Sequence, residues 1–384
     1  MPFDYAAFAR PAARALPTYN AGLSSGLVHE RYGVQHVARL ASNENPWGAS
    51  PAVTRALAAA STRVGDYPDA QASALRQQLA QDLGIDAQQL CFGNGSEDLI
   101  KCLCEVFLSP GDTVLTQKPT FGLHQIYPEM MGAQVQLLDL IPDLQMDVHA
   151  WCDALARVPK LAFLPNPSNP VGCMFDDAAM QRIVAATSEQ TLLVVDEAYV
   201  EYARCTPGYP DTLALLQQRR GPWMVLRTFS KAWGLAGLRV GYGIAGDAVL
   251  TGWLDKVRTP FNVNSLAQAA ALAAWQDTAH MQQCVEKTVA LREALRAQLL
   301  ALAAPGQPLA GLRIAPSATN FLFLDLGRPS ATVAEALLRQ GVIVKPWKEA
   351  GYTHCLRVSI GTEADNTRLV QALVQAMQTV EDAT

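Results

Sequence analysis

Between residues 90 and 245, short β-rich runs alternate with segments of helical spacing. The β-rich runs read TVLTQ, AQVQLLDL, KLAFLP, TLLVVDEAY, WMVLRTF and RVGYGIA. Parallel strands need long crossover connections, which are usually helices, so this alternation is typical of a mainly parallel sheet with helices on its faces. We therefore predict an α/β fold in which ligands bind at the carboxyl ends of the strands.

A smaller unit is predicted from the rest of the chain. The stretch from Ser265 to about Leu302 is rich in Ala, Leu and Gln at helical spacing, and it is too long for one ordinary helix, so we predict two joined or kinked helices. NFLFLDL, a helix near Thr332 to Gln340, GVIVKPW, LRVSIG and a last helix from Glu363 then indicate an α+β unit. The predicted division is an N-terminal segment of the small domain at 1–44, a large domain at 45–270, and the small domain with its bridging helix at 271–384.

Composition and charge exclude several classes of function. The 384 residues are 50% hydrophobic and carry a net charge of −5, which provides no basic surface for nucleic acid or an anionic membrane. No stretch approaches the roughly 18 uncharged apolar residues of a membrane helix, and Asp4, Arg10 and Pro11 interrupt the start where a secretory signal is apolar. The eight cysteines have neither metal nor disulfide spacing. We expect a cytoplasmic protein that acts on small molecules and holds no metal.

The segment GNGSEDLI predicts a helix start that can bind an anion. Ser96 is a good N-cap before an apolar stripe, and Gly93 and Gly95 allow a ligand to approach the backbone. An ordinary capped helix is the alternative. A dinucleotide-binding loop is disfavoured because Asp98 stands where the third glycine of that motif belongs.

Two further strand ends carry polar side chains. In PNPSNPVG, the prolines stiffen a loop that presents Asn169. The alternative is an ordinary turn with no binding role. In LLVVDEAYVEY, Asp196 and Tyr199 follow a buried strand. A carboxylate there is costly without a positive partner. No second acidic cluster or histidine at ligand spacing indicates a metal.

The segment RTFSKAWGLAGLRVGYG contains Lys231 among hydroxyl and guanidinium donors. A lone lysine is usually an exposed residue, but Thr228, Ser230 and Arg239 are donors of the sort that hold phosphate. Pyridoxal phosphate needs all of these features together. Its phosphate suits a helix N-terminus, its ring nitrogen an aspartate, its ring oxygen an Asn and a Tyr, and its aldehyde a lysine.

The chain resembles the fold-type I, class I/II aminotransferases that depend on pyridoxal phosphate, and specifically the histidinol-phosphate aminotransferase family. The resemblance runs from Tyr19 to the last helix and rests on ten motifs in the family's order. They are RLASNENPWGASP, DYPDAQASALRQQLA, GNGSEDLI, PTFGLHQIYP, PNPSNPVG, VVDEAYVEY, TFSKAWGLAGLRVGY, PFNVNSLAQAAA, TNFLFL and LRVSIGT.

The resemblance implies a role for each of these residues. Lys231 is the catalytic residue, bonding to the cofactor aldehyde and then moving the substrate proton, and Asp196 keeps the ring nitrogen protonated. The other implied cofactor contacts are Asn169 and Tyr199 at the ring oxygen, Phe121 stacked on the ring, and Ser96, Glu97, Thr228, Ser230 and Arg239 at the phosphate. Tyr67 of the YPD motif reaches the phosphate of a neighbouring subunit, which implies a homodimer with shared active sites.

Substrate contacts are implied at the N-terminus and in the small domain. Arg357 matches the family's carboxylate-binding arginine, and Tyr19, Asn43 and Asn45 match substrate-side positions. Lys345 stands where these enzymes commonly have an arginine for the substrate phosphate, which keeps the charge but loses the planar fork. Two other departures are Phe121 in place of the usual tyrosine and the loop YNAGLSSG.

The function implied is histidinol-phosphate:2-oxoglutarate transamination, with a small amino donor and a 2-oxo acid as partners. The alternatives are an aromatic amino acid aminotransferase, a lyase resembling threonine-phosphate decarboxylase, and a non-catalytic cofactor-binding regulator. A hydrolase is disfavoured because the G-x-S-x-G at 22–26 lacks the strand before and the helix after that a nucleophile elbow requires. His124, near Phe121, is expected to be structural.

Overall fold

The computed structural model describes residues 3–16 and 23–381. Its strands are β1 Ala38–Arg39, β2 Leu90–Gly93, β3 Thr113–Gln117, β4 Gln134–Leu138, β5 Leu161–Pro165, β6 Leu192–Asp196, β7 Trp223–Thr228, β8 Gly241–Ala245, β9 Arg313–Ile314, β10 Phe321–Asp325, β11 Val342–Ile343, β12 Lys345–Pro346 and β13 Cys355–Ser359.

The helices in the same ranges surround these strands. They are α1 Tyr5–Phe8, α2 Pro11–Ala15, α3 Ser25–Tyr32, α4 Pro51–Ala60, α5 Ser73–Leu83, α6 Ser96–Phe107, α7 Leu123–Met130, α8 Val148–Leu155, α9 Asp177–Ala186, α10 Val200–Ala203, α11 Thr212–Gln217, α12 Ala248–Leu254, α13 Ser265–Gln276, α14 Thr278–Leu302, α15 Ser330–Arg339 and α16 Glu363–Glu381. Short 3-10 turns lie at Ser61–Arg63, Ala87–Gln89 and Ala236–Leu238. None of these helices has the length and apolar character needed to cross a bilayer.

A large seven-stranded sheet has the order β2-β8-β7-β6-β5-β3-β4. Strands β3 to β7 are parallel, whereas β8 runs antiparallel to both β7 and β2. The predicted mainly parallel mixed sheet is therefore confirmed. The link from β7 to β8, residues 229–240, contains Lys231 and no full crossover helix, and a short link of this kind brings the chain back antiparallel.

The central strands are buried on both faces, which explains their continuous apolar sequences. In β6, Leu193 and Val195 pack into one core while Leu192 and Val194 pack into the core on the opposite face. Successive side chains of a strand point to opposite faces. Each fully buried Val or Leu contributes about 1.5–3 kcal/mol relative to an exposed one. The apolar strands thus form a rigid base whose carboxyl ends carry the polar residues.

The smaller unit contains a four-stranded antiparallel sheet of order β12-β13-β10-β9 and a parallel pair of β1 with β11. The predicted pair of helices at 265–302 is observed as α13 and α14, which meet at Asp277. The run GVIVKPW differs from a single strand. It forms β11 and β12, which pair with different partners on either side of Val344.

The two units share part of one hydrophobic core. Ala315, Phe323, Tyr352 and Cys355 of the C-terminal unit belong to the same buried cluster as the side chains under the large sheet. A second core, including Leu322, Leu324, Val358 and Leu373, lies within the smaller unit. The division at 44 and 270 stays a prediction.

Gly234 offers a test of the turn that carries Lys231. Its φ of +72° is disfavoured for other residues, and an added Cβ would lie 2.6 Å from the Gly48 carbonyl oxygen. We expect Gly234→Ala to lower the free energy of unfolding by about 2 kcal/mol or more, measured by denaturant unfolding. Gly306→Ala is the matched control, because Gly306 has a similar φ of +78° with open space around it. Equal losses in the two variants would contradict the close contact between the turn and Gly48.

Candidate active site

Lys231 lies in the turn after β7, where its amine is confined by backbone and aromatic groups. Its Nζ donates to the carbonyl oxygen of Ser42 at 3.0 Å and lies 5.9 Å from the centre of the Tyr199 ring. Burial, followed by the positive charge of Arg357, lowers the pKa of the Lys231 amine from 10.5 to about 7. Such an amine is neutral in a large fraction of molecules near neutral pH, as a nucleophilic lysine must be.

Three of the four charges that act on the Lys231 amine belong to residues predicted from the sequence, and the fourth, Glu44, was not predicted. Arg357 and Arg239 lower the pKa of this amine, whereas Glu44 and Asp196 raise it. These groups are contributed by four separate parts of the chain. The fold therefore brings the predicted ring-nitrogen, phosphate and carboxylate residues within electrostatic reach of one amine.

Asp196 ends β6 and is held by a histidine. Its Oδ2 lies 3.0 Å from Nε2 of His124, and its Oδ1 accepts from the backbone N–H of Ala198 at 3.1 Å. His124 is fully buried and stacks on Phe163 with a centroid distance of 5.0 Å. Phe121, the predicted stacking residue, is half-buried and meets the edge of the His124 ring.

The contact between His124 and Asp196 did not emerge from the sequence analysis. It supplies the partner that a buried carboxylate at the end of a strand requires. The sequence offered no local signal for this contact, because His124 and Asp196 are 72 residues apart.

Tyr199 and Asn43 are joined directly. Asn43 Nδ2 donates to the Tyr199 hydroxyl at 2.9 Å, and Asn43 Oδ1 accepts from Ser359 Oγ at 2.8 Å. The φ of Asn43 is +55°, a conformation that asparagine tolerates better than most residues. Asn45 donates instead to the backbone carbonyl of Ala232, next to Lys231.

Asn169 meets the small domain through Arg357. Arg357 Nη1 donates to Asn169 Oδ1 at 2.6 Å, and Arg357 is only 8% exposed. Lys345 pairs directly with Arg357 across strands β12 and β13, so both side chains lie on one face of the sheet. Burial and then Arg357 lower the pKa of Lys345. Two neighbouring cations on one face favour an anion.

The predicted phosphate residues gather around the start of α6. Arg239 Nη1 donates to Ser230 Oγ at 3.3 Å, and Thr228 Oγ1 accepts from the Ser230 N–H at 3.1 Å. Arg239 Nη2 lies 3.6 Å from Glu97 Oε2. A Cβ on Gly95 would lie 2.5 Å from the Arg239 guanidinium. The glycine therefore leaves room for this cation beside the helix.

The N-cap prediction for this helix is wrong by one residue. Gly95 is the N-cap of α6, with a φ of +83°, and Ser96 is its first residue. A positive φ favours glycine over serine at the cap. The backbone N–H groups of Ser96 and Glu97 lie in the first turn, whose donors have no partner within the helix.

Two predicted residues lie away from this cluster or outside the described ranges. Tyr67 is 82% exposed and stacks on the partly exposed Phe261, with centroids 4.6 Å apart. Tyr19 lies outside the described residues, so its substrate-side role stays a prediction. Ser24 of the G-x-S-x-G pattern caps α3, which begins at Ser25, by accepting from the Leu27 N–H. The expectation that no helix follows this pattern is therefore wrong.

A group of potential metal ligands lies at the far end of the β10–β13 pair. Within the described ranges, Asp325, His354 and Cys355 place their ligand atoms within 4.8 Å of one another. Arg313 already pairs with Asp325 at 3.4 Å. We assign no metal to this group.

The residues present fit pyridoxal phosphate. A helix start, a serine hydroxyl and an arginine converge as donors for a dianion. An amine of lowered pKa suits the aldehyde, and a buried carboxylate suits a protonated ring nitrogen. The site therefore belongs to the class that binds this cofactor through a lysine.

Comparisons with known proteins identify the family. Residues 35–373 match the family model of aminotransferase class I and II. Histidinol-phosphate aminotransferase 3 of Rhizobium meliloti (strain 1021) is 44% identical over 95% of this chain and 96% of the relative. Histidinol-phosphate aminotransferase 1 of Mesorhizobium japonicum is 45% identical over 94% and 95%.

A solved structure is also similar. Histidinol-phosphate aminotransferase from Sinorhizobium meliloti, in complex with pyridoxal-5'-phosphate, has a TM-score of 0.85 and 26% identity over 96% of this chain and 97% of that one. The fold is thus fold type I, as predicted. The chain belongs to the class I and II aminotransferases and, within them, to the histidinol-phosphate aminotransferase family.

The lowered pKa of Lys231 predicts unusual reactivity at moderate pH. In the cofactor-free protein, about nine tenths of the Lys231 amines are neutral at pH 8, against less than about one hundredth for an ordinary lysine. We expect the rate of Lys231 acetylation by acetic anhydride to rise through pH 7 and level off above about pH 8. Peptide mass spectrometry measures it.

Arg357→Met is the matched control, because removing this positive charge favours the protonated amine and moves the midpoint to higher pH. A parent rate that still rises tenfold per pH unit above pH 8 would contradict the lowered pKa.

Proposed function

We propose that this chain transfers the amino group of histidinol phosphate to 2-oxoglutarate, giving imidazole acetol phosphate and then glutamate. The observation that carries the proposal is the Lys231 amine, whose pKa of about 7 results first from burial and then from the charge of Arg357, with Asp196 acting in the opposite direction. Family membership supports the reaction class. The names of relatives that are 37–45% identical support the amino donor.

Pyridoxal phosphate, when bound, supplies an aldehyde that receives the amino group and a ring that withdraws electrons from the reacting carbon. Asp196, held by His124, would hold the protonated ring nitrogen. Asn169 and Tyr199 would hold the ring oxygen. Ser230, Arg239 and the first turn of α6 would hold the phosphate.

Lys231 performs the proton transfer in this proposal. A neutral Nζ accepts the proton that leaves the α-carbon of the amino donor, and the resulting ammonium gives a proton back one step later. A pKa near the working pH serves both directions. The Ser42 carbonyl oxygen, 3.0 Å from Nζ, orients the amine in both states.

Arg357 and Lys345 would bind the anionic ends of the substrates. The guanidinium of Arg357 suits the carboxylate of glutamate or 2-oxoglutarate. Lys345 lies opposite it in register and adds a compact positive charge for the phosphate of histidinol phosphate. An aromatic amino acid donor would use the first cation and not need the second.

The reaction is tested by following glutamate formation from histidinol phosphate and 2-oxoglutarate. We expect kcat/KM for histidinol phosphate to exceed that for phenylalanine by at least about tenfold. Lys231→Ala should lower kcat by about 1,000-fold or more. Lys256→Ala is its matched control, since Lys256 lies over the surface residue Trp253 and away from the site.

Other outcomes identify the alternatives. Faster reaction with phenylalanine than with histidinol phosphate would indicate an aromatic aminotransferase. Release of carbon dioxide without a 2-oxo acid would indicate a lyase. Cofactor binding without turnover of any donor would indicate a regulator.

The same proposal includes a homodimer in the cytoplasm. The aromatic pair of Tyr67 and Phe261 is exposed on a single chain, and a second copy would cover it while receiving Tyr67 at its phosphate site. All eight cysteines are free and most are buried, which is typical of a reducing compartment.

Tyr67→Phe tests the shared site. Loss of one hydroxyl hydrogen bond to the phosphate should raise the dissociation constant of pyridoxal phosphate by about fivefold to tenfold, measured by absorption titration of the cofactor-free protein. Tyr5→Phe, at another exposed tyrosine, is the control. Unchanged cofactor retention in Tyr67→Phe would argue against the sharing of sites between subunits.

A further inference from the structure

A buried polar network lies at the carboxyl ends of β5, β6 and β7. Its members Glu197 and Arg227 are each next in sequence to a proposed cofactor contact. Arg227 of β7 pairs with Glu197, with Nη2 2.7 Å and Nε 2.9 Å from Oε2. Glu197 is 1% exposed and Arg227 is 3% exposed. Removing one partner of such a pair is costly because a buried charge is left alone. The Arg227–Glu197 pair therefore holds the carboxyl ends of β6 and β7 together.

Tyr209 connects this pair to the next strand end. It belongs to the segment between α10 and α11, outside the sheet. Its hydroxyl lies 2.8 Å from Glu197 Oε1 and 2.8 Å from the backbone carbonyl oxygen of Asn166. Asn166 directly follows β5, and its own N–H donates to the Asp196 carbonyl.

The hydroxyl of Tyr209 has one proton for two acceptors. A carboxylate and a carbonyl oxygen can only accept, so the proton bridges them or alternates between them. Burial, and next the charge of Glu197, raise the pKa of Tyr209 well above 10.0. The Tyr209 hydroxyl is therefore protonated near neutral pH and can donate to either acceptor.

Each member of the network is next to, or in the same loop as, a proposed cofactor contact. Glu197 follows Asp196, and Arg227 precedes Thr228. Asn166 begins the loop that carries Asn169, and its side chain is fixed by the backbone of Phe175 at 2.8 Å. Adjacent residues of a strand point to opposite faces, so Arg227 and Thr228 of β7 lie on opposite faces of the sheet.

We propose that Tyr209 is a positioning residue that fixes the distance between the Asn166–Gly172 loop and the end of β6. It thereby fixes the position of Asn169 relative to Asp196. It touches neither cofactor nor substrate. The inference rests on the proposed function for its meaning, but its main readout is cofactor binding, which does not depend on which amino donor is used.

The test compares Tyr209→Phe with Tyr352→Phe. Tyr352→Phe also removes a largely buried hydroxyl, which accepts one backbone hydrogen bond from Leu140 at 3.1 Å. Tyr352 lies in the smaller unit, away from the Tyr209 network. Both changes should lower the thermal midpoint of the cofactor-free protein, and Tyr209→Phe should lower it more, because its hydroxyl donates to a buried carboxylate. Tyr209→Phe alone should raise the dissociation constant of pyridoxal phosphate by about fivefold or more. It should also move the pH at which the bound cofactor changes its absorption.

Kinetics provide a second readout. For Tyr209→Phe we expect kcat to fall by about tenfold. The KM for 2-oxoglutarate should rise with it, because Asn169, which the loop carries, accepts a hydrogen bond from Arg357. Cofactor affinity and kcat within twofold of those of Tyr352→Phe would overturn the proposal. If the parent chain does not transaminate histidinol phosphate, the proposed donor fails, while the comparison of cofactor affinities still decides the role of Tyr209.

Discussion

The parallel pairing of β5, β6 and β7 is the constraint on which the site depends. Because these strands run in one direction and in register, Pro165 lies opposite Asp196, and Asp196 lies opposite Leu226. The residues that follow each strand therefore emerge at the same edge of the sheet. Apolar packing on both faces fixes this edge, so polar groups from distant parts of the sequence can meet without long flexible side chains.

Burial at this edge makes electrostatic effects strong in both directions. The same desolvation that lowers the pKa of Lys231 also requires every carboxylate there to have a partner. Asp196 has His124, and Glu197 has Arg227. Asp196 is thus available to the proposed cofactor, whereas Glu197 and Arg227 hold the ends of their strands in place.

Much of the fold could be predicted from the spacing of apolar residues and from the Gly and Pro residues between the elements. The six β-rich runs, the pair of helices at 265–302 and the last helix are all observed, because burial on both faces leaves a strong signal in the sequence. The split of GVIVKPW into two strands did not follow, since pairing with different partners depends on tertiary contacts. The Gly95 cap of α6 was missed because serine is a common N-cap residue, whereas the positive φ of Gly95 and its closeness to Arg239 are features of the folded chain.

In the site too, residues within local motifs were predicted, and contacts between distant segments were missed. Lys231, Asp196 and Arg239 lie in motifs that can be read locally, and the structure brings them together around one amine. The contact of His124 with Asp196 and the bridge of Tyr209 join residues far apart in sequence. A single sequence contains no measure of such distances. These contacts form only in the folded chain.

The hydrophobic core shared by the two units has a consequence for their motion. Phe323 and Tyr352 are embedded among side chains of the large sheet, and the Tyr352 hydroxyl accepts from the Leu140 N–H. Separating the two units would expose these rings to water and break the hydrogen bond to Leu140, so the shared core opposes their separation.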